Sequence, residues 1–165
     1  MERAAKDDGR PPGTRSSSVR LELKGAQDSS DLAERIDRIE ETAVEMAAAG
    51  GVPQEEAHFL GIALREAVVN AVRHGRRADG RCHVVVRLRS VFGRLLLMCV
   101  RDRGPGFDPA SIGDPCLPEN LPKGSGRGIF YMRRFADRVR FSFPRDGGVA
   151  VGLVKLLPGV RPPKD

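Results

Sequence analysis

Alternation of hydrophobic and polar residues predicts five strands in this chain. Val19, Leu21 and Leu23 alternate with charged residues, as in a strand with one face buried. Four further runs have strand character and occur as two hairpins, each joined by a short turn segment. These runs are Cys82 to Leu88 with Arg94 to Val100, and Arg138 to Phe143 with Val149 to Leu157.

Hydrophobic residues at helical spacing predict three helices. The first follows the capping residues 28–31 and ends at Gly50-Gly51, with its apolar positions at Leu32, Ile36, Ile39, Ala43 and Met46. The second begins at Pro53, a residue suited to the first turn of a helix, and runs to about Gly75. The third runs from about Arg127 to Ala136.

These elements predict an α+β protein, a two-layer sandwich with a mixed, mostly antiparallel sheet and three helices on one face. Four prolines between residues 108 and 123 exclude a long helix or strand there, so we expect an irregular loop. Residues 1–18 are rich in Gly, Pro, Ser and Arg and predict a disordered tail. The domain is therefore expected to span residues 19–160, followed by a short tail, 161–165.

The charge of the chain is segregated along its length. The net charge is +6, yet residues 22–66 hold eleven acidic side chains against four basic ones, and residues 73–103 hold nine arginines against two aspartates. A basic zone of this kind attracts phosphates or an acidic protein partner. Nucleic acid is the less favoured partner, because 5% aromatic residues leave few platforms for stacking bases.

Composition also limits the protein class and its compartment. The 165 residues suit one domain, and no apolar run approaches the roughly 20 residues of a membrane-spanning helix. The N-terminus lacks the apolar core of a signal peptide, which predicts a cytoplasmic protein without a membrane partner. The three cysteines match neither a disulfide framework nor a zinc motif and are predicted to be free thiols.

A polar stripe borders the apolar face of the second helix. At about 100° per residue, Glu66, Asn70 and His74 fall on one line beside the buried arc. The Asn70 amide oxygen suits one coordination position of a magnesium ion whose other ligands are phosphates and water. Glu66 can accept a proton from an attacking hydroxyl, and His74 is either a phosphate contact or a hydrogen-bonded structural residue.

Two glycine motifs follow the stripe. Asp102 ends an apolar strand and can accept a hydrogen bond from the exocyclic amine of adenine, while Gly104 and Gly106 allow close backbone approach and Phe107 can pack beneath the base. The second motif leads into the third helix, whose free amides can hold phosphates. It consists of Gly124, Ser125, Gly126, Arg127, Gly128 and Ile129, preceded by Lys123.

The order and spacing of these three motifs resemble the N, G1 and G2 boxes of the GHKL (Bergerat-type) ATP-binding fold. The short chain is most similar to the RsbW/SpoIIAB-like branch, the anti-sigma-factor serine kinases. The resemblance implies a histidine-kinase-like fold that binds ATP and Mg²⁺, with Asn70 as the metal residue and Glu66 as the catalytic base. It also implies that residues 108–123 form an ATP lid, and that Lys123 or Arg127 brings a cation to the γ-phosphate.

The same resemblance implies the biology. A family member phosphorylates a serine or threonine of a STAS-type anti-anti-sigma partner and sequesters a sigma factor, often as a homodimer. The best-known members carry an arginine immediately before the Ser-Gly of the second glycine motif, where this chain has Gly124. That departure favours an alternative, a module that binds ATP as a regulatory switch and sequesters a protein partner without transferring phosphate.

Overall fold

The computed structural model describes residues 17–25, 29–75, 82–105 and 127–158 of the protein. Three helices and five strands lie within these ranges, which supports the predicted α+β class. In chain order they are β1 (Ser17–Gly25), α1 (Ser29–Ala49), α2 (Gln54–His74), β2 (Cys82–Val91), β3 (Leu95–Arg101), α3 (Arg127–Phe135), β4 (Arg138–Ser142) and β5 (Ala150–Leu156).

The five strands form one sheet in the order β1-β2-β3-β5-β4. All four pairings are antiparallel, so the described sheet contains no parallel pair, in contrast to the predicted mixed, mostly antiparallel sheet. The crossing from β3 to β5 places the end of β3 beside the start of β5, with Arg101 opposite Ala150. This register brings the β4–β5 turn next to the residues that follow β3.

One face of the sheet forms the core with the helices. Alternate residues of β1, β2, β3 and β5 point into this layer, and most are almost completely buried; they are Leu23, Val84, Val86, Leu88, Leu96, Met98, Val100, Val151 and Leu153. The apolar arc of α2 covers them with residues such as Leu60, Leu64 and Val68, each fully buried. Burial of this kind contributes roughly 25 cal/mol per Å² of apolar surface and holds the two layers together.

Helix α1 lies beside α2 in the helical layer and packs against it. A Cβ on Gly61 would lie 2.6 Å from Val44 Cγ2, so the missing side chain lets the two helices approach closely. Arg65 reaches across to the carboxylates of Asp37 and Glu40, and these hydrogen bonds raise the pKa of Arg65. The small residues on this side of α2 therefore serve contact within the chain.

Element bounds differ from the sequence predictions by a few residues. Strand β1 begins at Ser17, two residues before the expected domain start at Val19. Pro53 is the N-cap of α2, with ψ of 144°, and the first turn begins one residue later. The predicted lid and most of both tails lie outside the described residues, and none of the described helices is long and apolar enough to cross a membrane.

Candidate active site

Helix α2 holds Glu66 and Asn70 one turn apart at the border of its buried face. Both side chains are half-buried, because the neighbouring positions Ala67 and Ala71 point into the core. The helix forms through its run of good helix formers and ends at Gly75, whose amide donates to the Ala71 carbonyl at 2.9 Å. The core therefore fixes the direction in which the two polar side chains point.

The first turn of α3 lies directly against this pair. A Cβ on Gly128 would lie 3.0 Å from Glu66 Oε2 and 3.1 Å from Asn70 Nδ2, which leaves room only for glycine without adjustment. Ile129 is buried at 7% exposure and anchors the turn in the core. The positive end of the α3 dipole thus faces a carboxylate and an amide, an arrangement suited to an anion with a bound cation.

Asp102 is a buried carboxylate, 6% exposed, immediately after β3. Its Oδ1 accepts hydrogen bonds from the amides of Gly104 at 2.8 Å and Val149 at 3.3 Å. The Asp102 amide in turn donates to the Val149 carbonyl at 3.0 Å. Of the described residues, none donates to Oδ2.

Three glycines surround Asp102 at distances that exclude a side chain. A Cβ on Gly75 would lie 2.4 Å from Asp102 Cβ, and one on Gly104 would lie 2.5 Å from Gly75 Cα. A Cβ on Gly148, which has φ of +81°, would lie 2.2 Å from the Asp102 carbonyl oxygen. We call Gly75, Gly104 and Gly148 the glycine collar.

Of the collar, Gly104 is predicted from the sequence as a site residue, and Gly75 and Gly148 are not. Gly75 follows the polar stripe directly, and its place after His74 was a usable signal. Gly148 lies in a turn 46 residues after Asp102 in the chain, and only the pairing of β3 with β5 brings the two together. The sequence predicts a turn between the last two strands, where Gly148 lies, but no local pattern indicates that this turn contacts Asp102.

The remaining predicted site residues differ in where the structure places them. The His74 side chain is exposed, and its backbone carbonyl, rather than its imidazole, lies against Gly104. Arg127 begins α3. The other residues predicted for the nucleotide lie outside the described part of the chain; they are Gly106, Phe107, Lys123, Gly124, Ser125 and Gly126.

Asp102 and the Glu66–Asn70 pair mark two ends of one elongated site. Asp102 touches the residue that ends α2, and Glu66 lies nine residues earlier, about 13 Å along the helix axis. One end offers a hydrogen-bond acceptor, Asp102, among closely packed glycines, and the other offers oxygen atoms that can bind a metal beneath a helix N-terminus. A long ligand with a base at one end and phosphates at the other fits this arrangement.

The side-chain oxygens of Glu66 and Asn70 are of the type that binds magnesium. Mg²⁺ in phosphoryl-transfer sites is held by one or two protein oxygen ligands together with substrate phosphates and water. Asn70 and Glu66 supply amide and carboxylate oxygens of this sort. Across the described ranges, no group of three or more His, Cys, Asp or Glu side chains could hold a metal ion.

Comparison with known proteins identifies the class of this fold and site. The family model described as the histidine kinase-like ATPase domain matches residues 29–155, which include every described element except β1 and the last residue of β5. The chain belongs to the histidine kinase-like ATPase family, and this confirms the GHKL resemblance of its motifs. Membership places it among the GHKL-type kinases, whose domain binds ATP.

Within that family, the relatives found are serine-protein kinases named RsbW. The protein of that name from Bacillus licheniformis is 36% identical over 115 residues, which are 65% of this chain and 69% of the relative. The one from Bacillus subtilis (strain 168) is 34% identical over 119 residues, 67% of this chain and 71% of the relative.

Proposed function

We propose that this chain is a cytoplasmic ATP- and Mg²⁺-dependent serine/threonine protein kinase. Its substrate is a STAS-type anti-anti-sigma protein. The kinase sequesters a sigma factor as a homodimer, and phosphorylation of the STAS-type partner controls that sigma factor. The observation that carries the proposal is the meeting of Glu66, Asn70 and the first turn of α3 at Gly128. A proton acceptor, a metal ligand and a phosphate-binding helix end are the components of phosphoryl transfer.

The base-binding end of the site is proposed to select adenine. Oδ1 of Asp102 is held by two backbone amides, and Oδ2 accepts a hydrogen bond from the exocyclic amine of the base. Guanine carries a carbonyl oxygen at that position, so two hydrogen-bond acceptors would face each other. The glycine collar fixes the position of Asp102, because Gly75, Gly104 and Gly148 pack there too closely to carry side chains.

At the phosphate end, each residue has a separate task. Asn70 would hold Mg²⁺, which supplies charge neutralisation to the phosphates when bound. The acceptor hydroxyl forms a bond to the γ-phosphorus while the bond to the bridging oxygen breaks, leaving ADP. Glu66 takes the hydroxyl proton, and the amides at the start of α3 hold the phosphoryl oxygens.

The partner class rests on similarity and on charge. The relatives carry the name serine-protein kinase, and the resemblance of the three motifs implies a STAS-type substrate. The helical layer of the described domain has an acidic helix, α1, in which Glu34, Asp37, Glu41 and Glu45 are exposed. An acidic surface of this kind supports a role in protein recognition.

The test replaces Glu66 by Gln and follows transfer of labelled γ-phosphate to purified STAS-domain proteins of the same organism. Transfer should fall about a hundredfold or more, the usual contribution of a general base, while ATP affinity stays within about twofold. Glu55→Gln is the matched control, since Glu55 is an exposed residue in the first turn of the same helix. Undiminished transfer by the Glu66 variant would refute the assigned base.

A second function, an ATP-dependent switch without phosphoryl transfer, is favoured by Gly124 at the position of the lid arginine. It predicts that the wild type binds ATP and a protein partner but labels none of the STAS-domain proteins. Under this alternative, Glu66→Gln changes neither property. The same experiment therefore separates the two candidates.

A further inference from the structure

The face of the sheet opposite the helices has a regular arrangement of side chains. Antiparallel registers place directly opposed residues on the same face, so the rows across β2, β3, β5 and β4 can be followed from the pairings. One row is Arg89, Leu97, Val154 and Arg138. The next is Arg87, Cys99, Gly152 and Arg140. We call this surface the open face.

An apolar stripe runs along the two central strands of the open face. It consists of the opposed pairs Leu95 with Leu156, Leu97 with Val154, and Cys99 with Gly152. These side chains are half-buried, except Leu156, which is 58% exposed. An antiparallel sheet that faces water normally carries polar residues there, so an apolar stripe on central strands indicates a surface that is covered in use.

Arginines flank the stripe on both sides. Arg87 and Arg89 on β2 and Arg138 and Arg140 on β4 are all exposed, and none forms an ion pair with another described residue. On the same face, Arg20 lies opposite Arg87 and pairs with Glu22, and Arg101 pairs with Asp146, each at 2.5 Å. Four cations therefore border the apolar stripe without internal neutralisation from the described chain.

The dimensions of the stripe suit one α-helix. Strands β2 and β4 are three strand spacings apart, so the two arginine columns are about 14 Å from each other. A helix with its side chains is about 10–12 Å across and fits between them. The seven residues of β3, which comprise the stripe and the Arg101 row beyond it, extend about 23 Å, which corresponds to a helix of about 15 residues.

We propose that the open face is a docking surface for an acidic amphipathic helix of a protein partner. Its apolar side chains lie on the stripe, Gly152 allows close approach at the centre, and glutamates or aspartates on both flanks pair with the arginines. A Cβ on Gly152 would meet only the Arg140 carbonyl oxygen, at 3.8 Å, so this centre is open. The surface lies on the other side of the sheet from the helical layer, and the proposal is independent of the proposed kinase activity.

Charge and shape favour this occupant over others. Two copies of the open face packed together would bring arginine columns near one another. The α1 helix of a second copy is acidic on its exposed side, but it lacks the apolar stripe that an occupant of the open face needs. The N-terminal segment, residues 1–16, has three acids and four bases and does not match the arginines. Nucleic acid would find no aromatic ring on the stripe for base stacking.

The test measures binding of a fluorescein-labelled synthetic peptide by anisotropy at physiological ionic strength. The peptide is a helix of about 15 residues with a leucine stripe flanked on both sides by glutamates. Two control peptides have the same composition in scrambled order, or lysines in place of the glutamates. Binding of the first peptide and not of the controls is expected for the full chain.

Variants locate the binding on the open face. Arg89→Glu with Arg138→Glu should weaken binding about tenfold or more, since two ion pairs are lost and replaced by repulsion. Gly152→Leu should also weaken it by filling the stripe. The control with the same charge change, Arg38→Glu with Arg134→Glu on exposed helix positions, should stay within about twofold of the wild type. Thermal unfolding and ATP titration of each variant check the fold and the nucleotide site.

Four results would overturn the proposal. The scrambled peptide binds equally, or the control variant loses as much as the open-face variant. A wild-type dimer in sedimentation velocity that Gly152→Leu dissociates would assign the face to a second copy. Single-stranded DNA that displaces the peptide, and whose own binding is lost in the open-face arginine variant, would assign it to nucleic acid.

Discussion

At the scale of single residues, Asp102 is a carboxylate whose two oxygens have different surroundings. Oδ1 is tied to the Gly104 and Val149 amides, which orient the group. Oδ2 receives no donor from the described residues and is the acceptor proposed for adenine. One side chain thus joins the end of β3 to the β4–β5 turn and presents a ligand contact.

Replacing Asp102 by Asn should weaken ATP binding about 10- to 100-fold, because a hydrogen bond to a charged acceptor is lost or reversed. The amide oxygen of Asn can still accept from Gly104 and Val149, so the fold is expected to remain. Isothermal titration with ATP and GTP measures the change and any loss of preference for adenine. Asp146→Asn is the control, since Asp146 is an exposed carboxylate whose pKa is lowered by the Arg101 hydrogen bond. Equal ATP affinity in wild type and Asp102→Asn would contradict the assigned contact.

Gly148→Ala should destabilise the protein more than Gly147→Ala. Both glycines have positive φ, +81° and +89°, so each substitution carries a backbone cost of about 1–2 kcal/mol. Only Gly148 adds a contact 2.2 Å from the Asp102 carbonyl, and the overpacking adds about 1–3 kcal/mol. Urea unfolding of the two variants gives the difference directly. Equal free energies of unfolding would mean that the collar tolerates a side chain.

Residue chemistry in the sequence is enough to select Asp102, Glu66 and Asn70 as candidates. An aspartate at the end of an apolar strand and a polar stripe beside a buried arc are local patterns. The contact of Gly128 with Glu66 and Asn70 is not local, because 58 residues separate Gly128 from Asn70 in the chain. Such close approach depends on helix packing, which periodicity does not specify.

At the scale of elements, α2 connects both ends of the site and α3 closes one of them. The far end of α3 is held by Asp137, which accepts from the Leu156 amide at 2.6 Å and faces Lys155 at 3.6 Å. Lys155 also donates to Glu56 at 2.5 Å, at the start of α2. A buried ammonium therefore ties α2, the end of α3 and β5 together.

Lys155→Met should change the free energy of unfolding by no more than about 1 kcal/mol, because an apolar side chain of similar length fills the same buried space. The double variant Glu56→Gln with Asp137→Asn should cost about 3 kcal/mol, since it leaves the Lys155 ammonium buried without a counter-charge. Chemical denaturation compares the two. A larger loss for Lys155→Met than for the double variant would show that the ion pairs themselves stabilise the fold.

Hydrophobic periodicity predicts the helices and strands to within a few residues. The confirmed α+β fold follows from it, since α2 and β3 have clear periods of 3.6 and 2. The strand order is less accessible, because nothing local indicates that β5 inserts between β3 and β4. Extension of β1 to Ser17 is another example, as its first residues are polar and gain order by pairing with Arg89 and Ser90.

At the scale of the whole molecule, the two faces of the sheet differ in their surface chemistry. The helical layer carries the proposed nucleotide site and the acidic helix α1. The open face carries an apolar stripe between arginine columns, with Cys99 in the middle. Segregated charge along the sequence thus corresponds to two surfaces of opposite sign, because β2 and β3 contribute to one surface and α1 to the other.

Cys99 reports the electrostatics of the open face. Burial raises the pKa of its thiol above the ordinary value, while the nearby Arg87 and Arg101 act to lower the pKa. Replacing Arg87 by Gln removes a cation that stabilises the thiolate, so the pKa should rise further and alkylation at fixed pH should slow about twofold. Labelling of Cys99 with iodoacetamide, followed by mass spectrometry of the peptide 95–101, measures the alkylation rate. Arg89→Gln is the control. Faster labelling of the Arg87 variant would contradict the proposed field.

We propose that α2, the Asp102 turn and the start of α3 form one ATP site with magnesium at Asn70. The most direct test is a calorimetric titration with ATP, with and without Mg²⁺, of the wild type and Asn70→Ala. We expect magnesium to strengthen ATP binding to the wild type, and we expect the variant to keep its magnesium-free affinity but lose the gain. Absence of ATP binding to the wild type, or an unchanged magnesium effect in the variant, would contradict the account.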